Sequence, residues 1–539
     1  QLEDPKLTKK LVKRGITELI TPGLTMGDNV LNARENNFLA AVSFGAANSK
    51  QNNQVGIALL DISTGEFKAT EFNGTEKIKK LNDALVKIMP SEILCKSEND
   101  LEEKLQICKL CLVPAFSKSG FNYYGSEVAD EILCKQFGED YKEQFSLKRT
   151  PLARISCAVL FEYVKDTQKR DLSHINTISR FDSDKYMMLD LVTRRNLELM
   201  ETYKDRKRQG SLFGVMDKTK TSMGARLLRT WIEQPLYDSK EINLRLDSVE
   251  ELCGKLILRD NLTELLKKCN DIERISGRIS YGNLTPKDCV ALNNTLLLLP
   301  KFKEYLRTSK TEMLGTIYEG INNFDEITNL LSMAIVDEPP ALLTNGGIIR
   351  KGFNKELDEY REMFTSGKEW LLKYEEQEKL NTGIKNLKVG FNRVYGYYIE
   401  INKSLTKDVP LSYIRKQTVA NNERYITEEL KALEDKLLNA EENAIKLEQK
   451  LFNEIKKVLE NRVKDMQNTA KALATLDCLL SLSILATKNN YTKPKINNKV
   501  DVINIIGGRH PVVEEMLKKE QFIPNDTYLN VDDSRVSTI

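Results

Sequence analysis

The stretch TEELKALEDKLLNAEENAIKLEQKLFNEIKKVLENRVKDMQNTAKALATLDCLLSLSILAT, residues 427–487, contains neither glycine nor proline. Along it Leu430, Leu433, Leu437, Ala440, Ala444, Leu447, Leu451, Ile455, Val458, Met466, Ala470 and Leu473 recur at helical spacing and form one apolar stripe. A single helix of that length would be about 90 Å long at about 1.5 Å per residue. No globular domain is that wide, so the reading predicts a projecting helix. A second helical pattern, residues 351–380, precedes it. Two antiparallel helices packed along their stripes would support whatever lies between them.

Between them, over residues 381–426, the period changes from helical to alternating: Leu387, Val389 and Phe391, then Val394, Tyr395, Tyr397, Ile399 and Ile401. Alternation of this kind predicts a β-rich tip. Its eight basic residues (Lys385, Lys388, Arg393, Lys403, Lys407, Arg415, Lys416, Arg424) outnumber three acidic ones (Glu400, Asp408, Glu423), a net of +5. The following helical stretch to residue 490 carries ten basic and eleven acidic side chains. Positive charge is therefore gathered at the tip, where a polyanion would meet it. Gly390 and Gly396 would let backbone amides approach phosphate, and Arg415, Lys416, Gln417, Thr418, Asn421 and Asn422 form a run of donors. The competing readings are a solvated lysine-rich turn and a coiled-coil spacer whose tip docks a protein.

Working outward, 539 residues with only 14 prolines should divide into about three or four domains. Residues 38–44, 55–62 and 66–72 read as strands, followed by a helix bearing Ile78, Leu81, Leu85 and Ile88 that stops near Pro90. A strand at Ile93 to Cys95, another helix, and a strand at Cys111 to Pro114 complete a small α/β domain. Such a sheet could resemble a ribonuclease-H-like nuclease with Asp61 at a strand end, but metal-assisted cleavage needs several converging carboxylates. Residues 151–380 read as mostly helical, with Thr221 or Ser222 capping a helix that Pro235 ends.

No run approaches the roughly 18 consecutive apolar residues that cross a bilayer. Nine scattered cysteines argue against a disulfide framework and for a reducing cytosol. Cys108 and Cys111 lack the second pair, or the histidines, of a zinc site, because only His174 and His510 are present. A net charge of +3 identifies no nucleic-acid binder by itself. The chain opens on Gln1 and stops at Ile539 in a strand-like run, which reads as a piece of a longer protein.

Taken as whole segments, residues 210–236 (GSLFGVMDKTKTSMGARLLRTWIEQPL), Val389 to Asn392 with Gly396 to Ile399, Arg415 to Thr418 with Glu423 to Tyr425, and Gly508 to Glu514 with Phe522 to Asp526 resemble the MutS family of DNA mismatch-repair proteins. The resemblance covers nearly the whole chain. It implies a multidomain fold, α/β plus mainly α: a ribonuclease-H-like connector, 1–145; a helical core and lever, 146–380; a β-rich DNA clamp, 381–426; a returning lever helix, 427–490; and the first strands of an ABC-type ATPase domain, 491–539. It further implies ATP and Mg2+ as cofactors of the full-length protein. Mismatched double-stranded DNA, a homodimer and a MutL-type repair protein would be its partners, in a bacterial cytoplasm at the nucleoid.

Under the resemblance, Arg393, Lys403, Arg415, Lys416 and Asn421 would contact the DNA backbone, and Phe522 and Ile523 would pack against adenine. Ala420 stands where relatives often carry a lysine, which shifts weight onto the neighbouring donors. No catalytic residue and no metal ligand is assigned, and His510 reads as structural. The mismatch-reading Phe-x-Glu is expected before Gln1, so Phe137 with Glu139 and Phe324 with Glu326 are coincidences of spacing. The phosphate-binding loop is expected after Ile539, which leaves no complete ATPase here. A coiled-coil interaction protein and a MutS relative acting in recombination are the alternatives.

Overall fold

The computed structural model describes residues 19–25, 31–45, 51, 53–95, 115–118, 125–168, 172, 175, 177–180, 186, 187, 189, 191–392, 396–419, 421–496, 498, 501–517 and 522–530. The Cys108/Cys111 pair, His174, Arg393 and Ala420 lie outside them, as does the strand expected at 111–114. By packing, the chain forms two compact units. One comprises residues 1–283, 294–323 and 460–539; the other comprises 284–293 and 324–459.

In the first unit, β1 (Leu39–Phe44), β2 (Gln54–Asp61) and β3 (Glu66–Asn73) form an antiparallel meander. Helix α1 (Lys77–Ile88) then crosses over, and β4 (Glu92–Cys95) and β5 (Ala115–Lys118) add in parallel beside β1. Helices α2 (Ser126–Phe137) and α3 (Pro151–Gln168) follow, and β6 (Ser179–Arg180) pairs parallel to β3. The order is β5-β4-β1-β2-β3-β6. Because side chains alternate across a strand, Ala40, Val42, Ile57 and Leu59 face Leu81 and Leu85 of α1. Leu39, Ala41, Ala58 and Leu60 face the opposite way, toward Ala129, Leu133 and the buried side of α3.

The boundary expected at residue 145 therefore falls too early. The amides of Leu152 and Ala153 donate to the Glu71 carboxylate of β3 (2.8 and 3.3 Å). A Cβ on Gly56 of β2 would lie 2.2 Å from the Leu152 carbonyl carbon. Helix α3 can approach the sheet that closely only because residue 56 has no side chain.

Beyond the sheet, α4 (Ser222–Glu233) and α5 (Ile272–Tyr281) belong to the helical part of the same unit. In the second unit, α6 (Lys355–Thr382) and α7 (Glu428–Glu460) bracket a small sheet. Back in the first unit, α8 (Val463–Asn489) packs against α4, α5 and the helices Ser239–Gly254, Leu256–Leu266 and Glu312–Gly320, and α9 (Pro511–Met516) follows.

The uninterrupted helix expected over 427–487 is thus two helices, broken at Asn461 and Arg462. Arg462 leaves helical geometry (φ −114°, ψ 8°). Its guanidinium bonds Asp465 (2.7 Å) and, across the chain, the Asn323 carbonyl (3.0 Å), which hold the residue in this geometry. The 33-residue α7 is about 50 Å long by its rise per residue. Counting uninterrupted apolar runs also passed over α8, which is long and apolar enough on average to cross a membrane. Fifteen of its residues are buried, so that apolarity serves the core.

The two glycines of contrasting surroundings give a direct test. Gly56→Ala is expected to destabilise the first unit by about 1–3 kcal/mol through overpacking. Gly254→Ala, at the open end of its helix, should be neutral or stabilising by about 0.4–1 kcal/mol. Urea midpoints of the two variants check this.

Candidate nucleic-acid interface

Between α6 and α7, β7 (Lys388–Asn392), β8 (Gly396–Asn402), β9 (Ile414–Thr418) and β10 (Asn422–Ile426) form an antiparallel sheet ordered β7-β8-β10-β9. The alternation read from the sequence places Ile399, Ile401 and Tyr425 on the inner side, with Leu371 and Tyr374 of α6 and Leu430 and Leu437 of α7. The base is tied by polar bonds as well. Tyr374 and Thr427 share a hydroxyl–hydroxyl bond (2.6 Å), Thr427 caps α7 through the Leu430 amide (3.1 Å), and Val389 donates to Glu375 (2.8 Å).

Across the strands, Lys388, Glu400, Arg424 and Gln417 stand in one register row. Arg424 bonds Glu400 (3.0 Å) and Gln417 (2.9 Å) and lies 4.2 Å over the Tyr398 ring, while Asn422 donates to Glu400 (2.7 Å). Arg424, Gln417 and Asn422 are satisfied around a carboxylate at the centre of the row, and Lys388 at its end stays exposed. The row is a poor surface for phosphate, which Glu400 would repel.

The expected contact residues lie elsewhere on the sheet. Arg415 and Lys416 sit on the edge strand β9. Lys416 is exposed, and Arg415 is 63% exposed with one N–H toward Glu423 at 3.4 Å. Lys403 and Asn421 meet at one end of the sheet, where the Lys403 amide donates to the Asn421 carbonyl (3.1 Å), and both side chains are exposed. The structure thus brings these four onto an edge and an end of one sheet, while Arg393 lies outside the described residues.

The role expected of the two glycines is corrected. A Cβ on Gly390 would come within 2.9 Å of the Tyr398 ring, and Gly396 (φ +77°) abuts the Glu434 carboxylate. Both make room for side chains of the chain itself rather than for a phosphate.

The segment that carried the family resemblance has a structural explanation in the first unit. Asp477 of α8 accepts from the Lys220 amide (2.9 Å), the Thr221 amide (2.8 Å) and the Thr221 hydroxyl (2.7 Å). Thr221 in turn caps α4 by accepting from the Gly224 amide (3.0 Å). Ser481 accepts from the Lys218 amide (2.7 Å) and donates to the Met216 carbonyl (2.8 Å), and Cys478 donates to the Gly224 carbonyl (3.2 Å). Burial pushes Asp477 up to about 6, against the lowering effect of these donors. Asp477 was missed in the sequence. Its signal is a lone carboxylate within the apolar run Leu473 to Leu485.

Asp61 is likewise structural. It accepts from Asn36 (3.1 Å), from the Asn37 amide (3.0 Å) and from both the amide and hydroxyl of Ser63 (2.9 and 2.7 Å). Among the described residues no three His, Cys, Asp or Glu side chains gather as metal ligands. Phe137 stacks edge-on against Phe145 at 5.5 Å in the core, and Phe324 is buried, so neither is a wedge. The six described free cysteines include buried Cys157 and Cys478, whose thiols burial pushes upward.

Near the chain's end, β11 (Val502–Gly508) pairs antiparallel with β12 (Asn525–Asn530). His510 accepts from the Val513 amide (3.4 Å) and caps α9, a structural role. Phe522 is half-buried and Ile523 is 79% exposed. An apolar pair could meet a base, but the chain holds no glycine-rich loop ending in Lys-Ser or Lys-Thr to cradle a triphosphate.

A mixed sheet layer, a helical core and a helix-borne β insertion define a multidomain α/β protein. Residues 37–176 match the family model of MutS domain II, and residues 192–483 that of MutS domain III. The chain belongs to the MutS family. It is 42% identical over 543 residues to the DNA mismatch repair protein MutS of Ruminiclostridium cellulolyticum, covering 100% of this chain and 61% of that protein. The proteins of the same name from Lachnoclostridium phytofermentans and Clostridioides difficile are 40% and 39% identical, each over 100% of this chain and over 57% and 56% of their own lengths. The chain spans about three fifths of the length of these curated relatives.

An unfolded aspartate titrates near about 3.9, so a folded value of about 6 means that the folded state holds the proton more tightly. The stability this contributes is present below about pH 4 and lost as pH rises through about 6. The advantage of the wild type over Asp477→Asn should therefore shrink by about 2–3 kcal/mol between pH 4 and pH 7. Unfolding followed by Trp231 fluorescence in a Trp370→Phe background measures it.

Proposed function

We propose that this chain is the connector, lever and clamp portion of a DNA mismatch repair protein, and that its small sheet holds duplex DNA by phosphate contacts that do not read sequence. The observation that carries the reading is the distribution of charge on that sheet. Its net +5 is offset on the outer face by the Glu400 network, and the exposed Arg415, Lys416, Lys403 and Asn421 lie on one edge and one end. Lysine, arginine and asparagine donors of that kind position a backbone without specifying bases.

The match to relatives named DNA mismatch repair proteins favours repair over recombination. The broken helix and the buried α8 argue against a simple coiled-coil spacer. The strand order of the first sheet, with a three-stranded meander and three parallel additions, supports a ribonuclease-H-like connector, ending after α3 rather than at 145. The exposed apolar residues of the β11–β12 ribbon, among them Ile503, Ile505 and Ile506, support its being the first layer of a larger ATPase domain. ATP with Mg2+, a homodimer, a MutL-type partner and a cytoplasmic location complete the reading for the longer protein. In it, this chain's residues contribute grip and mechanical linkage.

Removing one cation from the phosphate backbone should reduce the slope of log binding constant against log salt by about 0.9. Arg415→Ala with Lys416→Ala is expected to lower the slope for a duplex by about 1.8. Fluorescence anisotropy across a salt series measures it, and an unchanged slope would sink the clamp assignment.

A further inference from the structure

A second cationic surface lies in the first unit, on residues 203–208, Tyr-Lys-Asp-Arg-Lys-Arg, with four basic side chains against one acidic. All six residues are exposed. Lys204, Arg206 and Lys207 have no carboxylate partner among the described residues, whereas Arg208 pairs with Asp217.

Despite this self-repulsion the turn is tightly built. Thr202 donates its amide to the Lys207 carbonyl (2.9 Å), accepts the Arg206 amide at its carbonyl (3.0 Å) and accepts the Lys207 amide at its hydroxyl (3.1 Å). The Tyr203 amide donates to Glu198 (2.6 Å), and Ser211 donates its amide (3.1 Å) and its hydroxyl (2.7 Å) to the Arg208 carbonyl. Glu198 (φ +46°) and Arg206 (φ +50°) hold left-handed backbone, which strains a residue that carries a Cβ. None of these bonds uses a cationic head. The Arg195 guanidinium lies 4.3 Å over the Tyr203 ring, which stays 57% exposed.

We propose that this knuckle is a second nucleic-acid backbone site, separate from the small sheet. The order of the turn prepays the entropy of presenting three unpaired cations together, and that is worth keeping only if something anionic meets them. An exposed aromatic beside the cations can pack against a sugar ring of the backbone, which favours a nucleic acid over an acidic peptide. The proposal deepens the duplex-binding reading above, and the two fail separately.

The experiment uses the whole chain, a labelled 30-base-pair duplex of arbitrary sequence, and anisotropy across a salt series. Lys204→Ala with Arg206→Gly and Lys207→Ala removes the charge, and glycine suits the positive φ at 206. The expected result is a drop in salt slope of about 0.9 for each cation that meets phosphate, between about 1 and 3 in total, additive with the Arg415/Lys416 change. An unchanged slope in the folded variant overturns the proposal, as does weakened affinity for polyglutamate with unchanged affinity for DNA. Lys204→Gln with Lys207→Gln, which leaves every backbone bond of the turn in place, gives the same readout should the triple variant not fold. If the sheet variant alone keeps its slope while the knuckle variant loses it, the sheet reading falls and this one stands.

Discussion

The amides that open a helix need acceptors, and inside a protein water cannot supply them. At the start of α4 the acceptor is Asp477, a single carboxylate on another helix that takes the Lys220 and Thr221 amides together with the Thr221 hydroxyl. Much of the first unit follows from that bond. Helix α8 must lie against the segment Met216 to Gly224 so that Ser481 and Cys478 reach its backbone. Gly224 has no room for a side chain, because a Cβ there would sit 2.3 Å from Asp477. A segment whose backbone is held at this many points by a neighbouring helix has little freedom of shape.

The far end of α8 is tied in the complementary way. Its last carbonyls, of Asn489 and Asn490, accept from the Arg509 guanidinium (2.7 and 3.3 Å), a cation where the helix dipole is negative. Arg509 also bonds Glu514 (2.6 Å) on α9, and α9 packs on Leu212–Met216, which Ser481 joins back to α8. The result is a closed ring of bonds from α8 through α9 and the Leu212–Met216 helix. The chain beyond α8 therefore begins from a fixed anchor.

The elements that were legible in the sequence are those set by local periodicity. The alternation of Ile399 with Ile401 marks strand β8, and Leu430 with Leu437 marks the buried stripe of α7. The break at Asn461 and Arg462 was not legible, because the Asn323 carbonyl that holds Arg462 is far away in the chain. Helix α3 was assigned to the wrong layer for the same reason. Nothing local says that Glu71 will take the Leu152 and Ala153 amides. For the interface, the sequence located the charge but not its pairing. Arg424 and Arg415 look alike as letters, yet one is held in a cross-strand network and the other faces solvent.

That difference bears on how such a sheet could hold a duplex. A surface that reads bases must place donors at fixed angles, which requires side chains locked by neighbours. Here the locked side chains, Arg424 and Asn422, already satisfy Glu400. Lys416 and most of the Arg415 guanidinium are exposed to solvent instead. Long, mobile cations on a β edge can follow a phosphate backbone of any sequence but cannot discriminate among base edges. The outer row is ordered by its own hydrogen bonds, and the edge leaves its cations open to solvent.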